Sequence, residues 1–126
     1  EEPVIGILLL DNRLRLIGEE ILYRDTDFSS AKVKPKPFLD AALLYGASAA
    51  VLFHTHRGGM LCPSEGDRAT TRLIEEGLLS LGITLVEHYL ICGTHFVGFH
   101  ARVKLGAMQS QELSKFLQSK ENGIHD

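Results

Sequence analysis

The chain has 126 residues, with 13 Lys and Arg against 16 Asp and Glu for a formal net charge of −3, and is 44% hydrophobic and 23% charged. That is the composition of a globular chain long enough to bury a core, and it excludes a disordered or collagen-like one. It gives no basic footprint for nucleic acid, although Lys32, Lys34 and Lys36 stand close together.

Val4 to Leu10 is a continuous apolar run, Asp11-Asn12-Arg13 has turn character, and Leu14 to Arg24 alternates loosely. Two apolar runs around a short polar turn predict a β-hairpin. Thr26 to Pro37 is polar and ends Lys34-Pro35-Lys36-Pro37, a loop leading into a helix with Pro37 at its first position. That helix runs Phe38 to Tyr45 and stops at Gly46. Ser48 to Thr55 reads as a buried strand, and His56 to Pro63, with two Gly and a Pro, as a loop. Ser64 opens the strongest helix signal: Ala69, Leu73, Ile74, Gly77, Leu78 and Leu81 share one face before Gly82 ends it. Ile83 to Cys92 is a further strand, Gly93-Thr94 a tight turn, and His95 to His100 its partner. A last helix is expected over Glu112 to Lys120, followed by a loose tail. The order predicts an α/β layered fold in a single domain over residues 1–126, with its core at about 2–106 and a C-terminal helix and tail at 107–126.

No run approaches the ~18 apolar residues that a membrane span requires. Glu1-Glu2-Pro3 has neither a positive region nor a cleavage pattern, so no signal peptide is expected. Cys62 and Cys92 make no disulfide framework and fit a reducing compartment, the cytoplasm.

The six His direct attention to the middle of the chain. His54-Thr55-His56 is followed, after seven residues, by Ser64-Glu65-Gly66-Asp67. Residues two apart on a strand point to the same face, so His54 and His56 leave the strand end together. Ser64 is a good helix N-cap, and Asp67 stands in the first turn, turned toward the sheet. Singly, each of these features has an ordinary structural explanation. Together, two imidazoles and one carboxylate make a three-ligand zinc site, His54, His56 and Asp67, with a fourth position left for water.

The run HTHRGGMLCPSEGD resembles the His-x-His-x7-Ser-x-x-Asp signature of JAMM (JAB1/MPN) metalloproteins, and among them the bacterial RadC-like branch. The flanks ILLLDNRLRLIGEEILYRDT and LLSLGITLVEHYLICGTHFVGF are similar to that branch as well. The resemblance implies an MPN fold, a curved mixed sheet sandwiched between helices. It also implies a Zn2+ cofactor on His54, His56 and Asp67, with Ser64 beside the reacting water. Active relatives cleave peptide or isopeptide bonds, so a protein or peptide substrate is implied. The family's catalytic Glu lies near the start of the first strand, three residues before a small residue. Here Pro3 is three before Gly6, and Glu2 is one place off. Glu2 is therefore the expected general base, with Glu1, Glu19 and Glu20 as alternatives. Arg57 and Gly58 also depart from the Pro-Ser that usually follows the second His.

His88 matches a His of the RadC-like branch and is expected to support the site, not to bind metal. Cys62 lies in the metal loop but is not needed as a ligand. Two other functions compete with a hydrolase. One is a non-catalytic MPN module that binds a protein partner. The other is an accessory domain of a DNA repair-associated protein, which the charge balance does not favour.

Overall fold

A computed structural model describes residues 3–24, 33–55, 65–93 and 95–99. In chain order the elements are β1 (Val4–Leu10), β2 (Leu16–Arg24), α1 (Lys36–Tyr45), β3 (Ala49–Thr55), α2 (Glu65–Ser80), β4 (Thr84–Cys92) and β5 (His95–Gly98). The first seven expected elements are all present. The helix expected over 112–120 lies outside the described residues.

The five strands form one mixed sheet in the order β2-β1-β3-β4-β5. β1 pairs antiparallel with both β2 and β3, which explains its unbroken apolar sequence: all seven residues are buried. β3 and β4 are parallel, so a crossover must join them, and α2 supplies it. β4 and β5 are antiparallel around Gly93, whose φ of 63° suits a tight turn. This is the α/β arrangement expected of the MPN fold.

Alternation divides the core in two. Ile5, Ile7, Leu9, Ala50, Leu52 and Leu85 pack with Phe38, Ala41 and Ala42 of α1 and Ile74 and Leu78 of α2. Val4, Leu8, Leu10, Ala49, Val51 and Phe53 belong to a second cluster on the opposite face. Both described helices therefore cover the same face of the sheet.

Several boundaries and one buried helix face differ from expectation. α1 starts at Lys36, because Pro35 already holds φ −63° and its carbonyl accepts the Phe38 N–H at 3.0 Å. Its end is as expected: Gly46 is left-handed at φ 63° and its N–H reaches the Ala42 and Leu43 carbonyls. β2 starts at Leu16, because Asp11 organises the preceding turn: its Oδ1 accepts the Arg13 and Arg15 N–H groups at 2.8 and 2.9 Å. The buried face of α2 is Thr71, Ile74 and Leu78, while Leu73 and Leu81 are exposed. Leu73 and Ile74 are adjacent on the helix, and only Ile74 lies on the face turned to the sheet. The face that wins is the one carrying Thr71, which has a polar partner in the core.

Candidate metal centre

β3 delivers His54 to the sheet face covered by the helices, two residues after buried Leu52 and level with Ile5 of β1. The imidazole is buried, with 7% of the residue exposed. The parallel β3-α2-β4 crossover then places the start of α2 over the carboxyl end of β3, where ligands of open α/β sheets gather. Asp67 stands in the first turn of α2, half-buried. An acidic residue is favoured there by the helix dipole.

His54 and Asp67 line one small pocket together with Ile5, Val33, Leu52, Thr70, Ile74 and His88. Its space is about 40 Å³. A buried water needs roughly 10–15 Å³ on the same measure, so the pocket has room for an ion or a few waters. Four of its walls are apolar, which weakens dielectric screening and strengthens any charge interaction inside.

His88 reaches the pocket through an irregularity in β4. Ala50 pairs with Leu85, but Val51 pairs with Glu87, so Val86 is an extra residue. Strict alternation from Leu85 would send His88 to the far face. The bulge shifts the phase by one and places it on the near face, opposite Leu52 and diagonal to His54. The His54 and His88 ring centroids are 6.4 Å apart.

Several contacts hold His88. Its ring stacks on Phe99 at 3.9 Å and 9°. Its backbone N–H donates to Glu87 Oε1 at 2.9 Å, and its carbonyl accepts the Phe99 N–H at 2.9 Å. Its Nδ1 lies 2.7 Å from Thr71 Oγ1. Gly98 makes room for the Glu87 carboxylate, since a Cβ there would stand 2.7 Å from Glu87 Cδ.

The structure thus brings His54 and Asp67 together. The other expected site residues, His56, Ser64 and Glu2, lie outside the described residues, as do Glu1, Arg57 and Cys62. Among the described residues no group of three His, Cys, Asp or Glu side chains is arranged to hold a metal ion. The donor set that is described fits zinc in kind, an imidazole nitrogen and a carboxylate oxygen lining one small pocket. β1 begins beside this end of β3: the Val4 N–H donates to Thr55 Oγ1 at 2.7 Å. Glu19 and Glu20 do not line the pocket. Glu19 pairs with Leu8, and Glu20, paired with Ile7, accepts the Tyr45 hydroxyl at 3.0 Å. The sequence offers Thr71 only as a residue four after Asp67 on the same helix face, with no role attached to it.

Among the described residues no helix is long and apolar enough to cross a membrane. The sequence matches the RadC-like JAB domain family over residues 1–105. It is 33% identical over 102 residues to a UPF0758 protein of Pseudoalteromonas translucida (strain TAC 125), covering 81% of this chain and 45% of that protein. A UPF0758 protein of Halorhodospira halophila (strain DSM 244 / SL1) is 38% identical over 88 residues, 70% of this chain and 39% of that protein. One from Vibrio parahaemolyticus is 36% identical over 96 residues, 76% and 42% respectively. The chain spans less than half the length of these relatives.

Proposed function

The chain belongs to the RadC-like JAB domain family, and from that premise we propose that it is a zinc-dependent hydrolase of amide bonds, peptide or isopeptide, in a protein or peptide substrate. The observation that carries this reading is the convergence of His54 and Asp67 on one small, largely apolar pocket. In the proposal His54, His56 and Asp67 hold the metal. When bound there, zinc supplies a Lewis acid and lowers the pKa of a water toward about 7.

The chain's own residues do the rest. Asp67 supplies the single negative charge of the ligand set, at a helix start whose dipole favours it. Ile5, Leu52 and Ile74 keep bulk water from the site and make each charge contact stronger. Glu2 accepts the proton of the attacking water and returns it to the leaving amine. Ser64 steadies the oxyanion by donating a hydrogen bond from its hydroxyl.

Metal analysis and peptidase assays test the reading. Purified chain is expected to carry zinc, and Asp67→Ala to lose it together with any hydrolysis. Equal zinc in both proteins would overturn the ligand assignment. Glu2→Gln is expected to keep zinc and lose hydrolysis.

A second reading, a module that binds metal or a protein partner without turnover, draws support from one observation. Neither Glu19 nor Glu20 lines the pocket, so the base role falls on Glu2 alone among the candidates other than Glu1. Zinc binding with no hydrolysis of any peptide or isopeptide probe would favour this second reading.

A further inference from the structure

Thr71 joins the helix that carries Asp67 to the strand that carries His88. Its Oγ1 lies 2.7 Å from the Asp67 carbonyl oxygen and 2.7 Å from His88 Nδ1. A carbonyl oxygen can only accept, so the one hydroxyl proton goes to Asp67. Thr71 Oγ1 is then an acceptor toward His88, and His88 Nδ1 must carry a proton. In the neutral ring the lone pair is therefore on Nε2. The β4 bulge and two hydrogen bonds of its backbone set the main chain of His88, and stacking on Phe99 together with the Thr71 contact fixes the ring.

We infer that His88 is a positioning residue, latched through Thr71 in its Nδ1–H tautomer, that fixes the first turn of α2 and so sets where Asp67 stands against His54. The inference rests on the metal reading above, since Asp67 matters there as a ligand. Groups that hold metal ligands in place typically change metal affinity 10–100-fold when lost. The latch acts in the same way on the Asp67 turn, through its backbone carbonyl.

Two measurements on the 126-residue chain test it. The first uses metal-free, 15N-labelled protein and long-range 1H–15N spectra of the His88 ring. The expected signature is a protonated Nδ1 and an acceptor Nε2, drifting toward Nε2–H in Thr71→Val. An Nε2–H ring in the wild-type chain overturns the latch. The second is zinc affinity by chelator competition. Thr71→Val and His88→Gln are expected to bind zinc about 10–100-fold more weakly. Thr71→Ser retains the hydroxyl, and His88→Asn puts an amide N–H near the Nδ1 position. Both are expected within about threefold of wild type. Equal affinity across all five proteins overturns the inference and leaves the zinc reading intact. A wild-type chain that binds no zinc overturns the zinc reading and the metal role of the latch, while the tautomer still decides whether the latch exists.

Discussion

Gly6 and Phe53 pair across β1 and β3, and the Phe53 ring fills the space where a side chain on Gly6 would stand. A Cβ at Gly6 would lie 2.9 Å from Phe53 Cε1 and 2.6 Å from the Glu20 carbonyl oxygen on the other side. The neighbouring residue, Ile5, pairs with His54, so this contact bears on the edge of the pocket.

Gly6→Ala is accordingly expected to destabilise the chain by about 1–3 kcal/mol, the usual cost of overpacking. Urea unfolding measures it. Phe53→Leu removes part of the obstruction but not the Glu20 backbone. The double variant should therefore be less destabilised than the sum of the singles, by about 0.5 kcal/mol or more. Strict additivity would show that the Phe53 ring is not what Gly6 accommodates.

Asp11 organises the β1–β2 turn, and its carboxyl pKa is held below the ordinary value. The largest cause is the hydrogen bond from the Arg15 backbone N–H; burial, the next in size, opposes it, and the Arg13 N–H and the Arg15 guanidinium at 2.8 Å add to the lowering. A lowered folded value means that the ionised carboxyl contributes stability above the unfolded pKa. That contribution disappears as pH falls through the folded value. Asp11→Ala should thus lower the urea midpoint at neutral pH, with the gap narrowing on acidification. Added salt should shrink only the Arg15 guanidinium part. A gap independent of pH would exclude the ionised turn.

Tyr89 packs edge-on to Phe96, and its phenol pKa is raised, first by burial and second by the charge of Glu87. A raised value for an acid means that its contribution to stability is intact below the unfolded pKa and is lost as pH climbs through the folded one. Glu87→Gln keeps an acceptor for the His88 N–H but removes the charge. The Tyr89 titration, followed by NMR, should move down part of the way and stay above the ordinary value. A complete return to the ordinary value would make Glu87, not burial, the leading cause.

Much of this was legible because the relevant patterns are local. The apolar run Val4–Leu10, the Lys34-Pro35-Lys36-Pro37 entry and the Gly46 and Gly82 stops each encode an element in a few consecutive residues. His54 and Asp67 are legible as a pair because a strand end and a helix start are local features close together in the chain. The position of His88 was not legible. It depends on one extra residue in β4, and a regular period of two from Leu85 puts His88 on the wrong face. The buried face of α2 is not legible for a related reason. Apolar spacing puts Leu73 on that face with Ile74 and Leu78, but the polar contact between Thr71 and His88, a pair 17 residues apart, turns the helix so that Leu73 is exposed.

Zinc should stabilise the folded chain through His54 and Asp67, because an unfolded chain cannot assemble their pocket. At free zinc about 1,000 times the dissociation constant, the gain is about 4 kcal/mol. For a chain of this size that corresponds to a rise in melting temperature of about 10 °C or more. A chelator should reverse it. Asp67→Asn preserves the shape of the side chain and removes its charge, and His54→Gln replaces the imidazole with a poorer ligand. Each should melt near the metal-free wild type and respond to neither zinc nor chelator. This measurement needs no substrate, so it separates metal binding from turnover. A zinc-dependent rise that survives in both variants would place the metal elsewhere and remove the basis for assigning this pocket a hydrolytic role.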